Sequence, residues 1–101
     1  MATNSIIKDT VKRIFPNSKV LLFGSRARGD FKENSDYDLL VIIEEELSPS
    51  DKMPYRTIIR KNLLSHDIFS DVLIQSKTEV AKKKNLKGHI IRNIMKEGME
   101  L

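Results

Sequence analysis

The sequence predicts an α/β chain in which a small mixed β-sheet is flanked by helices, an arrangement of the α+β kind. Three observations predict it. A stripe with helical period opens the chain, two β-prone apolar runs at 19–23 and 36–44 follow on either side of a loop, and a third run at 68–74 lies between segments of helical spacing. The order helix, strand, strand, helix, strand, helix is that of helices laid over a sheet. At 101 residues the chain reads as a single domain (1–101), a size at which roughly two-thirds of the unfolded surface is buried and one core suffices.

Each element has its own local signal. Ile6, Ile7, Val11, Ile14 and Phe15 form the stripe of a first helix over 4–15, with Thr3 or Asn4 as N-cap and Pro16-Asn17-Ser18 as its stop. Residues 19–23 end at Gly24, and the run at 36–44 ends in the acidic trio Glu44 to Glu46 and the Ser48-Pro49-Ser50 punctuation. Tyr55, Ile58, Ile59, Asn62 and Leu63 fall on one side of a second helix, with Pro54 in its first turn. The third β run carries Asp71, and 78–84 is polar and basic. Asn85 caps a last helix bearing Leu86, Ile90, Ile91, Ile94 and Met95, with Gly98 as its C′ residue.

Composition removes several classes of function. With no cysteine, disulfide frameworks, thiolate zinc sites and cysteine nucleophiles are excluded. The N-terminal stretch has charges every few residues and no apolar run approaches the roughly 20 residues of a membrane span, so a soluble, cytoplasmic protein without membrane association is expected. The net charge of +4 suits a polyanionic partner, a nucleotide or an acidic protein surface. Nucleic acid is disfavoured, because no aromatic residue interleaves with the Lys82 to Lys84 cluster to stack bases, and that cluster reads more simply as a solvated helix face.

The chemistry concentrates in GSRARGDFKENSDYD, residues 24–38. Gly24 lets the backbone turn tightly and approach an anion, Ser25 adds a hydroxyl, and the residues to Arg28 open a short helix whose start faces phosphates, with Arg26 and Arg28 neutralising charge. Asp36 and Asp38, two residues apart at the start of a strand, project to one face about 7 Å apart. Carboxylates so placed repel, a cost that a cation or several hydrogen-bond donors can offset, and all-oxygen ligation shared with substrate phosphates is the habit of magnesium. If the strands align, Asp71 joins them to hold two metals about 3.5–4 Å apart and to activate a hydroxyl. A lone Gly-Ser is only a turn and a lone Asp-x-Asp only a weak signal, but the two at this spacing arise by chance in on the order of one such chain in a thousand. Tyr37 points to the opposite face, into the core; His66 and His89 stand alone, and Asp67 falls just before the third strand.

GSRARGD, SDYDLLVII, FSDVLI and the terminal LKGHIIRNIMKEGMEL together resemble the minimal nucleotidyltransferases of the DNA polymerase β-like superfamily, over nearly the whole chain. Gly88 stands where such proteins often have a proline. The resemblance implies the polymerase β-like fold, Asp36 and Asp38 as magnesium ligands, Asp71 as a third ligand and base, and Ser25 against the triphosphate of ATP. It also implies a toxin–antitoxin role, in which AMP is transferred from ATP to a HEPN-domain ribonuclease, typically onto tyrosine. Larger relatives append a domain that binds the acceptor; about a hundred residues leave no room for one, so the acceptor is expected to be another protein chain. The alternative is a module that binds nucleotide and neutralises its partner without turnover.

Overall fold

The computed structural model describes residues 2–101, and its elements run α1 (Thr3–Ile14), β1 (Lys19–Phe23), α2 (Ser25–Arg28), β2 (Tyr37–Ile43), α3 (Pro49–Leu64), β3 (Ser70–Ser76), α4 (Lys77–Lys83), α5 (Ile90–Glu97) and β4 (Met99–Glu100). The four strands form one mixed sheet in the order β3-β2-β1-β4, with β2 parallel to β3 and antiparallel to β1, and β4 antiparallel to β1. β2 is interior, and Leu39 to Ile43 are all buried, because helices cover both faces of the sheet. Its alternate residues divide between two cores. Leu39, Val41 and Ile43 pack with Ile7 and Val11 of α1 and Ile59 and Leu63 of α3, whereas Leu40 and Ile42 pack with Val80 of α4 and Ile91 and Ile94 of α5.

The departures from the sequence expectation lie at element ends. α1 starts one residue earlier than expected, with Ala2 at its N-cap and no side-chain cap, so Thr3 and Asn4 are helical. α3 begins at Pro49, where the ring is tolerated, and Ser48 caps it by accepting from the Asp51 N–H at 3.2 Å. Pro54 therefore falls inside the helix and forfeits one backbone bond there. The last helix starts at Ile90 rather than after Asn85; His89 is its cap, its Nδ1 accepting from the Ile91 N–H at 3.1 Å. Gly98 is extended (φ −66°), not left-handed, and glycine is needed there because a Cβ would lie 2.5 Å from the Ile94 carbonyl oxygen. The chain then turns into β4, whose pairing with β1 leaves Leu101 N–H donating to Val20 O at 2.9 Å.

Residues 77–83 form α4, where the sequence expectation for 78–84 is only a polar, basic segment. Its start is a capping box: Ser76 Oγ accepts from Glu79 N–H at 3.0 Å, and Ser76 N–H donates to Glu79 Oε1 at 2.8 Å. Glu79 also receives the buried Lys52 Nζ of α3 on both carboxylate oxygens at 2.8 Å, tying the two helices together across the edge of β3. Burial alone raises the Glu79 pKa, but the hydrogen bonds from Lys52 and the Ser76 N–H, with the charges of Lys52 and Lys83, outweigh it and hold the carboxyl below its ordinary value. Stability from this pair is present above the ordinary glutamate value and is lost as pH falls through the depressed one. Glu79→Gln is expected to cost about 2–3 kcal/mol, below the range for a fully enclosed pair because Glu79 keeps part of its surface in water. Urea unfolding at neutral pH checks the loss, and the deficit should vanish in strong acid.

Candidate active site

Topology alone brings the end of β1 beside the starts of β2 and β3. Phe23 pairs with Asp38, and Asp38 pairs with Asp71, so the turn after β1 and two carboxylates stand in a row at one end of the sheet. Gly24 makes that turn at φ 72° and ψ −155°, a region closed to residues with a side chain. A Cβ on Gly24 would also overlap the Asp38 carboxylate, which rests against its α-carbon. The Gly24 carbonyl accepts from the Ala27 and Arg28 N–H groups, both at 3.1 Å, and starts α2; the N–H groups of Ser25 and Arg26 precede its first helical bond and remain for an anion.

Asp38 is the perturbed member of the site. Partial burial first, then the negative charges of Asp71 and Asp36, push its pKa above the ordinary carboxylate value, and the Arg28 guanidinium offsets only part of this. Asp71 is exposed at the second position of β3. Asp36 is placed otherwise than expected: β2 begins at Tyr37, whose N–H donates to Phe69 O at 2.9 Å, so Asp36 lies just outside the ladder, exposed at the mouth of a cleft. Among the described residues no three acidic or histidine side chains are gathered closely enough to enclose a metal by themselves. An all-oxygen donor set with one desolvated carboxylate and neighbouring negative charge nevertheless fits a hard divalent cation whose remaining ligands are phosphate oxygens and water.

The two arginines differ. Arg28 is exposed, holds Asp30 at 3.4 Å and lies within electrostatic reach of Asp38. Arg26, expected to face phosphates, is instead committed to its own loop. Its Nε and Nη2 donate to Ser35 O at 3.2 and 3.0 Å, Nη2 also to Glu33 O at 3.1 Å, and its guanidinium lies 4.2 Å from the Phe31 ring centre and 4.4 Å from that of Tyr37. Those contacts fix the loop that delivers Asp36, and Tyr37, packed against the first core as expected, is half of the clasp. Phe31 and Tyr37 around a basic residue were the available sequence signal. Arg26→Lys, which lacks the planar fork, is expected to lose on the order of 1–2 kcal/mol of loop ordering, read as faster cleavage after Glu33 by a glutamate-specific protease.

Asp67 adopts φ 61° in the turn from α3 to β3, a conformation aspartate tolerates, and lines the same cleft with Asp36, Tyr37 and Phe69. His66 is exposed in the same turn.

A glycine turn with N–H groups outside the helical ladder, set against carboxylates from two adjacent strands, is an arrangement suited to the chemistry of nucleotidyl transfer. The chain belongs to the nucleotidyltransferase domain family, whose model matches residues 5–100, and it is an enzyme of that kind, a minimal nucleotidyltransferase. It is 36% identical over 75 residues, 74% of this chain and 70% of the relative, to MJ0141, a candidate protein adenylyltransferase of Methanocaldococcus jannaschii. A second such protein of that organism, MJ0604, is 32% identical over 83 residues, 82% of this chain and 76% of the relative. Among solved structures, a toxin–antitoxin complex with AMP-PNP superposes at a TM-score of 0.60 with 23% identity, covering 99% of this chain and 72% of the other. A candidate nucleotidyltransferase of Sulfolobus solfataricus superposes at 0.53 with 24% identity, covering 97% and 80%. At these identities the structural likenesses establish the fold. Among the described residues no helix is long and apolar enough to cross a membrane.

Proposed function

We propose that the protein transfers AMP from ATP to a hydroxyl, tyrosine being the expected acceptor, on a partner of the HEPN class, and so acts as the antitoxin of a pair. The observation that carries this reading is the partly buried Asp38 of β2, which lies between the Gly24 turn that follows β1 and Asp71 of β3 and whose pKa is raised by burial and by the neighbouring acids. Gly24, the Ser25 N–H and hydroxyl, and Arg28 would hold the β- and γ-phosphates; Asp36, Asp38 and Asp71 would hold magnesium, two ions by the expectation above. Bound there, the metal supplies Lewis-acid polarisation of the α-phosphate and lowers the charge of the leaving group. The acceptor oxygen forms a bond to the α-phosphorus as the α–β bridging bond breaks, pyrophosphate leaves, and the hydroxyl proton passes to a carboxylate, Asp71 in this reading.

Protein adenylyltransferase is the description carried by the two Methanocaldococcus relatives, and a toxin–antitoxin assembly with a nucleotide analogue is among the structural neighbours, which supports both halves of the proposal. The test is to mix the protein with ATP labelled at the α-phosphate, magnesium and the product of the adjacent gene. Label should appear on that product and be lost with Asp71→Asn. An Asp36→Asn/Asp38→Asn variant that still protects cells in full would instead favour neutralisation by binding alone.

A further inference from the structure

We infer that the cleft between the end of α3 and the start of β3 is the dock for the acceptor, and that it takes an extended protein segment carrying apolar and acidic side chains beside the reacting hydroxyl. The inference rests on the nucleotidyl-transfer reading for the word acceptor, but the surface itself is described by its own residues. Thr57, Arg60, Lys61 and Leu64 of α3 form one wall and Phe69 with Ser70 the other, enclosing about 320 Å³ that ends at Asp36. That volume admits one or two side chains and not a folded domain.

Three features select the occupant. Phe69 is 61% and Leu64 48% exposed, a costly display of apolar surface at the rim of a catalytic cleft and the kind of anchor a peptide side chain covers. Arg60 and Lys61 are exposed on the same wall, and among the described residues Asp36 is the one acid lining the cleft with them, so acidic residues in the segment are favoured and basic ones rejected. The cleft also lies on the β3 side of the carboxylate row, whereas the Gly24 turn that suits the leaving phosphates lies on the β1 side. An in-line displacement needs attacking and leaving oxygens on opposite sides of the phosphorus, and these two approaches supply them. A nucleic-acid strand would need a longer track of cations than two adjacent residues.

The probes are a tyrosine peptide flanked by Asp and Glu, and its counterpart flanked by Lys, titrated into the 15N-labelled protein. The acidic peptide should shift the amide signals of Thr57, Lys61, Leu64 and Phe69 and bind about tenfold more tightly than the Lys peptide. Arg60→Glu/Lys61→Glu should reverse that preference, and Phe69→Ala should weaken both peptides while leaving ATP affinity intact. Equal binding of the two peptides, no binding, shifts centred elsewhere, or displacement by a single-stranded oligonucleotide would overturn the assignment. So would a loss of ATP affinity in Phe69→Ala, which would give the cleft to the nucleobase. If the peptide docks as stated but no labelled AMP moves to it or to the partner, the dock stands and the transfer reading fails.

Discussion

Asp38→Asn is expected to abolish nucleotidyl transfer, by about a thousandfold or more, while making the folded protein more stable. The first effect follows from removing the charge that the proposed site uses to hold its cation, an electrostatic contribution of several kcal/mol in the transition state. The second follows from the environment of the carboxyl, which is partly desolvated and faces Asp71 and Asp36 with only Arg28 in compensation. Because its folded pKa is raised, the stability linked to its proton is fully present below the ordinary carboxylate value and lost as pH rises through the raised one. At neutral pH the wild type therefore carries a penalty that asparagine lacks. Melting curves near pH 7.5 should place the variant a few degrees higher, a domain of this size shifting by about 4–8 °C per kcal/mol, and curves near pH 3.5 should bring the two together. Magnesium with a non-hydrolysable ATP analogue should raise the melting temperature of the wild type and not of the variant. A variant less stable than the wild type at neutral pH would contradict the account of this carboxyl.

Gly24→Ala is the second change with a large expected effect, and it acts on fold and site together. Alanine at φ 72° and ψ −155° costs about 1–3 kcal/mol in backbone strain alone. The new methyl group would also drive the Asp38 carboxylate from its place, so transfer should fall with the stability. Gly29 provides the control, since it too has positive φ (86°) but nothing lies within 4 Å of a Cβ built there. Gly29→Ala, in the left-handed helical region (ψ 3°), should show only that milder backbone cost; the excess in Gly24→Ala combines its stricter backbone region with the contact to Asp38. Combining Gly24→Ala with Asp38→Ala should recover part of that excess, a coupling that additive effects would not produce. Urea titrations of the wild type, Gly24→Ala, Gly29→Ala, Asp38→Ala and the double variant give the comparison.

Where the signal was local, the sequence carried the fold. β1 was legible to the residue, β2 and β3 to within two residues at each end, and α1 and α3 through their apolar spacing, because one buried face imposes one period on a chain. α4 had a readable signal in Ser76 and Glu79, three residues apart, that the density of lysines obscured. β4 had none: two residues become a strand only because β1 offers them an edge.

The residue types and spacing of the site, Gly24-Ser25 followed by Asp36 and Asp38, are fixed along a single stretch of chain, and the sequence by itself determined them together with the family they mark. Tertiary structure alone decided which of these groups meet. Pairing in register, a property of two strands at once, set Asp71 beside Asp38 and Asp38 against Gly24, and it left Asp36 outside the ladder at the cleft. It also turned Arg26 inward, because Phe31, Tyr37 and two carbonyls satisfy a guanidinium that sequence alone shows only as a charge. Composition and period report what each residue needs; only the folded chain shows which neighbour meets that need, since such contacts depend on how loop and strands fold against one another.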